Sequence, residues 1–231
     1  MTQTLPQAAE LIASHDQMLA HAGWPTELPA PVREGAAEVW HWVQTNHRFN
    51  CRLWAEEDLA RRTTVAAEDI AANKRAIDGF NQARNDATER IDELLLVALG
   101  LVDADSARSD APQATVASGA RLNSETAGSM IDRMSILALK IEAMAAQTRR
   151  ADADADAQHL SASQVKLQRL QQQRSDLGGC FDALLADAQA GRAYFKVYRQ
   201  FKMYNDPRFN PELVKETQAR AAGPKTGAAG R

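Results

Sequence analysis

Two long helical stretches separated by only a brief break constrain this 231-residue chain more than any other feature. Apolar residues recurring every three or four positions predict one helix from about Val32 to Arg62 and the next from about Ala66 to Leu99, interrupted at Thr63 and Thr64. A connection that short makes the two helices antiparallel neighbours. On the first of them Trp40, Val43, His47, Asn50, Cys51 and Trp54 share a face, taking roughly 100° per residue. Two tryptophans on that face predict that it points inward. Continued toward the C-terminus, the same stripe meets Glu57, Asp58 and Arg61 where a plain bundle would place more apolar residues.

Three further helices follow from the same pattern. The first spans about Gln7 to Ala20 and ends at Gly23-Trp24-Pro25; another runs from Asn123 to Arg150, with a stripe of Met130, Met134, Leu137, Ile141 and Met144; the last occupies Ser161 to Ala190. Asp103 to Ala120 reads as a mobile internal loop, and the ADADADA repeat at 151–157 as a solvated connector. The aromatic and basic stretch from Tyr194 is predicted to stay helical until Asn205-Asp206-Pro207. Residues 212–231 are predicted to be a disordered basic tail. The expected architecture is an all-α antiparallel bundle of five or six helices, two of them long, in a single domain over residues 1–211.

Composition excludes several classes. The longest apolar run, Leu94 to Leu99, falls far short of the roughly 18 to 20 residues that span a bilayer, and the N-terminus lacks a signal pattern, so the expectation is a cytoplasmic protein. Cys51 and Cys180 stand alone without a CxxC partner, and no two of the histidines are spaced i,i+4, so zinc is not expected. No haem or nucleotide-cofactor motif occurs, nor a glycine-rich phosphate loop or a GxSxG elbow. The net charge of −3 disfavours nucleic acid, although the last forty residues, Arg192 to Arg231, hold nine basic and three acidic groups.

The second long helix carries a continuous polar stripe of Lys74, Asp78, Asn81, Asn85, Glu89 and Asp92. In the antiparallel hairpin, Glu57 and Asp58 lie level with Lys74, and Asn50 with Asp78 and Asn81, so the two polar sets can meet. An exposed ladder of i,i+4 charge pairs is the equal alternative.

The segments Asn50 to Asp58 (NCRLWAEED), Lys74 to Asp78 (KRAID), Asn81 to Asp86 (NQARND) and Leu122 to Arg133 (LNSETAGSMIDR), followed by Ser135, Leu137 and Lys140, resemble the bacterial domain-of-unknown-function family 4254. The resemblance covers about Asp16 to Pro211. It implies a helical cytoplasmic protein connected with cell-envelope carbohydrate metabolism, and brings no established reaction. Most of the motif positions are polar, which packing alone does not require.

These residues suggest an inter-helix site for an anionic, phosphorylated or sugar-containing small molecule. Lys74, Arg84, Arg133 and Lys140 would pair with the anion; Asn50, Asn81, Gln82, Asn85, Asn123 and Thr126 would orient the ligand. Glu57, Asp58 and Asp78 are candidates for acid or base work or for holding magnesium. Whether the chain is an enzyme stays open. The second reading is a non-catalytic partner of a glycosyltransferase, with a homodimer also conceivable. A third, a magnesium-dependent helical pyrophosphohydrolase, rests on the ExxD spacing of Glu89 and Asp92 and lacks the second half of that pattern.

Overall fold

The computed structural model describes residues 5–27, 37–149, 157–200 and 206–221. The chain divides into two compact units, Met1–Tyr198 and Arg199–Arg231. The first carries helices α1 (Ala8–Ala20), α2 (Ala37–Leu59), α3 (Ala67–Ala98), α4 (Ala104–Ala107), α5 (Ala127–Thr148) and α6 (Ala157–Gln189), with two-residue strands β1 (Arg121–Leu122) and β2 (Ala193–Tyr194). The second carries α7 (Pro211–Ala221). The fold is all-α apart from the parallel β1–β2 bridge, which pairs Arg121 with Ala193 and Leu122 with Tyr194. No described helix is long and apolar enough to cross a membrane.

The predicted hairpin forms. Cross-helix partners climb along α3 as they descend along α2, the mark of antiparallel packing: Asn73 donates to Glu56 at 2.6 Å, Phe80 meets Phe49 at 6.0 Å between ring centroids, and Thr88 accepts from Asn46 at 3.1 Å. Arg52 lies over the Phe80 ring at 4.1 Å, giving the cation an aromatic face to cover. Gly100, at φ 68°, closes α3 as predicted, because the left-handed turn after a helix suits a residue without a Cβ.

α5 packs against both helices of this hairpin, and α1 and α6 pack against α5 and against each other. The shared core is built from Leu11, Val43, Ile91, Leu95, Leu96, Ile131, Met134 and Phe181, all almost fully buried. Polar contacts fix α1 onto α6: Asp182 accepts the Ala8 N–H at 2.9 Å, and Arg174 reaches Asp16 through two nitrogens at 2.6 and 3.1 Å.

Three sequence expectations are corrected. The stretch after Gly191 forms strand β2 and no helix through Gln200, because Ala193, Phe195 and Val197 are buried while Lys196 and Tyr198 are exposed, a period of two that a strand satisfies and a helix does not. Within the expected loop of 103–120, α4 forms and buries Ala107, and Thr115 donates its N–H to Leu101 O at 2.8 Å. The expected disordered tail holds α7 over Pro211–Ala221, where the exposed Lys215–Glu212 pair at 2.8 Å supports a helix that buries no side chain. Residues 150–156 of the ADADADA connector, 201–205 and 222–231 lie outside the described residues.

Candidate functional site

Asp132 on α5 is the hub of a buried polar network. Its Oδ1 accepts from the side-chain amides of Asn46 and Asn50, both on α2, at 2.8 Å each. The Asn50 amide also reaches Asn46 Oδ1 at 3.2 Å and Ser135 Oγ at 2.9 Å, while the Asn46 amide reaches Thr88 Oγ1 on α3 at 3.1 Å. Asn46, Asn50 and Ser135 are buried and Asp132 and Thr88 partly so, and buried polar groups need partners, which the network supplies across three helices. The remaining oxygen, Asp132 Oδ2, stands 4.0 Å from Arg84 Nη1. Arg84 donates through Nη2 to Asn85 at 3.0 Å, but its buried Nε–H has no partner among the described residues.

The network continues into a histidine pair. Ser135 Oγ lies 2.7 Å from His47 Nδ1, and the His47 ring contacts His15 at 4.6 Å between centroids and stacks on Trp24 at 5.5 Å. Both histidines are fully buried, and neither ring nitrogen of His15 has a hydrogen-bond partner among the described residues. Burial pushes the His47 imidazole down to about 3, against a hydrogen bond with the His15 backbone that favours the charged form. His15 is held well below the ordinary value by burial first, then by the charges of His47 and Arg174. Beside them, Cys51 Sγ accepts the Trp24 indole N–H at 3.1 Å, and burial pushes its thiol up to about 11, so it is inert as a nucleophile.

A second buried acid serves the start of α5. Thr126 caps that helix by accepting the Ser129 N–H at 3.1 Å, and Asp92 on α3 accepts the Gly128 N–H at 2.6 Å. A carboxylate at a helix N-terminus is favoured by the backbone dipole. Burial nonetheless pushes Asp92 up to about 7, with Thr126 and the Gly128 N–H drawing it back and Glu89 and Glu93 raising it. Gly128 is required by contact: a Cβ there would lie 2.6 Å from Thr88 O and 2.9 Å from Asp92.

Two clefts open on either side of α5. The smaller, about 320 Å³, lies between α2, α3 and α5, and is lined by Asn50, Trp54, Glu57, Asp58, Asn81 and Arg84 among others, with Ile136 and Leu139 from α5. Trp54 is 36% exposed, and Arg61 holds Glu57 at 2.9 Å along the rim. The larger, about 910 Å³, lies between α5 and α6 and is bordered by Arg121, Asn123, Glu125, Arg133 and Lys140, with Asp176, Cys180 and Asp187 across from them. Ile136 lines both clefts, so one helix turn separates them.

The residues singled out in the sequence therefore separate into four groups. Asn50, Glu57, Asp58, Asn81 and Arg84 come together in the smaller cleft. Asn123, Arg133 and Lys140 belong to the larger one. Lys74 and Asp78 form an exposed i,i+4 pair at 2.6 Å, and Gln82 donates to Asp86 in the same manner. Thr126 and Asn85 are structural, one as a cap and the other as a buried acceptor for Arg84. Asp78 does not join Glu57 and Asp58 in the cleft, and among the described residues no group of three or more His, Cys, Asp or Glu is arranged to hold a metal ion. Sequence reasoning missed the network residues Asn46, Thr88, Ser135 and His15 as partners of the site. Asp132 and Asp92 carried a signal, since both sit in polar motifs or stripes.

The family model described as "Protein of unknown function (DUF4254)" matches residues 40–197. No curated protein and no solved structure matches the chain. With most of its length matched, the chain belongs to that family, and both clefts and the network around Asp132 fall within the matched region, while His15 and Trp24 lie outside it.

Proposed function

We propose that this DUF4254 protein binds a phosphorylated monosaccharide in the cleft between α2, α3 and α5. One observation carries this reading: a partly exposed indole, two amides, two carboxylates and two guanidinium groups, one of them tied to Glu57, line a space of about 320 Å³. A cavity of that size suits a compact ligand. Sugars present flat C–H faces that pack on an indole such as Trp54, and hydroxyl groups that exchange hydrogen bonds with amide and carboxylate side chains such as Asn81, Glu57 and Asp58. A phosphate suits Arg84, whose planar fork has N–H donors left over and whose buried Nε–H has no other partner among the described residues. Asp132 backs the guanidinium at 4.0 Å and holds its orientation without quenching it. Such a ligand fits the carbohydrate setting that the family resemblance implies.

The ExxD spacing supports hydrolysis poorly, because Asp92 is engaged with the Gly128 N–H at the start of α5 instead of facing a cleft. Binding is the function to test first. Titration calorimetry with glucose 1-phosphate, glucose and inorganic phosphate, on the wild type and on Trp54→Ala and Arg84→Ala, reads it directly. The sugar phosphate should bind, with loss of at least about tenfold in each variant, the scale of one charge-assisted hydrogen bond. Absence of binding by sugar phosphates at millimolar concentration, or equal binding by the Arg84→Ala variant, would overturn the reading.

A further inference from the structure

The geometry points to a second, separate ligand site in the α5–α6 cleft, built for a nucleotide-sized phosphate ester. Its positive wall is organised by the chain's short sheet. The β1–β2 bridge fixes residues 121–123 to the end of α6 through Arg121 N–H to Arg192 O and Asn123 N–H to Tyr194 O, both 2.8 Å. Asn123 then accepts from Arg121 Nη1 at 2.9 Å and donates to Glu125 O at 2.6 Å, so the Arg121 guanidinium is held in place over the cleft by a neutral amide.

The charge balance decides the class of ligand. Three cations, Arg121, Arg133 and Lys140, face three acids, Glu125, Asp176 and Asp187, on the cleft lining. Glu125 is committed to Arg133 at 2.5 Å, and Asp187 is taken from outside the lining by Arg192 at 2.6 Å. Arg121 and Lys140 have no acidic partner among the described residues, which leaves two uncompensated cations against the single Asp176. Arg133 and Lys140 are seven residues apart on α5, about 10 Å along the helix. The cations are therefore strung along a groove rather than gathered at a point. Its floor is apolar, formed by Met130, Leu137, Leu177 and Leu184. An anion carrying an organic body matches both features, and about 910 Å³ is nearly three times the space of the other cleft and near the top of the range for small-molecule sites. A bare inorganic ion would leave the floor uncovered.

The cleft contains its own reporter. Cys180 lines it and is exposed, whereas the other cysteine, Cys51, is buried. Alkylation of Cys180 by N-ethylmaleimide, followed by peptide mass spectrometry, measures occupancy of this cleft alone. Uridine diphosphate and adenosine diphosphate are the probes, with uridine as the uncharged control. A diphosphate at roughly four times its Kd should slow alkylation about fivefold, in proportion to occupancy. Uridine should leave the rate unchanged. The Arg121→Ala/Lys140→Ala double variant, whose changes fall on exposed side chains and whose folding a thermal melt verifies, should lose the protection. Protection should persist in Arg84→Ala, so failure of the sugar-phosphate reading does not carry this one with it. No protection by either diphosphate, equal protection by uridine, or protection that survives the double variant would overturn the inference.

Discussion

Asp92 and the His15–His47 pair are buried ionisable groups whose titrations oppose each other, and replacing Asp92 by Asn separates them. The histidines are displaced downward, His47 to about 3 from an ordinary 6.5, so the stability that depends on their neutral forms is complete above pH 6.5 and is lost as the pH falls toward 3. Asp92 is displaced upward, to about 7 from 3.8, so its contribution is complete below pH 3.8 and is lost as the pH rises through 7. Each such proton is worth about 1.4 kcal/mol per pH unit. Between pH 4 and 6.5 the folded chain holds a proton on Asp92 that the unfolded chain releases. The stability of Asp92→Asn should therefore rise with pH more steeply than that of the wild type, by about 1.4 kcal/mol per unit. An amide at position 92 keeps an oxygen for the Gly128 N–H, so the fold should survive. Urea unfolding followed by helical circular dichroism at pH 4.5, 5.5, 6.5 and 7.5 gives both slopes, and exposed carboxylates common to the two proteins cancel in the difference. From pH 4.5 to 7.5 Asp92→Asn should gain on the order of 3 kcal/mol relative to the wild type. Parallel stability curves for the two proteins would refute the placement of Asp92 in a desolvated site.

Three further outcomes follow from contacts. Gly128→Ala should destabilise by about 2 to 4 kcal/mol despite the better helix propensity of alanine, since the new Cβ meets a backbone carbonyl and displaces the Asp92 bond; a thermal melt checks it, and a gain in stability would contradict the close approach. Asn50→Leu should cost about 2 to 4 kcal/mol by removing one of the amides that satisfy Asp132 Oδ1, read by urea unfolding. Lys74→Ala should change stability by less than about 0.5 kcal/mol and leave sugar-phosphate binding intact, because Lys74 and Asp78 are an exposed pair outside both clefts.

The helices were legible because each buries a stripe, and the stripe is written at a period the sequence shows. Starts at Ala8, Ala67 and Ala127 fall within a few residues of the expected ones. The polar seam was visible as a seam but not as a depth. Lys74, Asp78 and Gln82 share a helical face with Asn85 and Asp92, yet the first three pair in solvent and the last two are buried. The difference is where α5 docks on α3, through Gly128 against Thr88 and Asp92, and docking joins residues distant in sequence that periodicity cannot register. On α2 the inward stripe held from Trp40 through Cys51 and surfaced at Trp54. His47 and Asn50 were legible as members of that inward face, but their partners Ser135 and Asp132, distant in sequence, were not.

One long motif on α5 had suggested one site, and the structure shows why it serves two places. Asp132, Ser135, Ile136 and Leu139 recur at spacings of three, one and three and face the α2–α3 hairpin, whereas Arg133, Leu137 and Lys140 recur at four and three and border α6. A helix between two neighbours must satisfy both faces, so adjacent residues such as Asp132 and Arg133 act in different surroundings. Asp132 closes a buried network and steadies Arg84; Arg133 is tied to Glu125 on the rim of the other cleft. Since Ile136 forms part of both walls, a ligand that displaces its side chain in one cleft changes the shape of the other. Coupling of that kind must be reciprocal. If it operates, a sugar phosphate will alter the Cys180 alkylation profile with a diphosphate by the same factor that the diphosphate alters sugar-phosphate affinity, and Ile136→Ala will weaken both effects together.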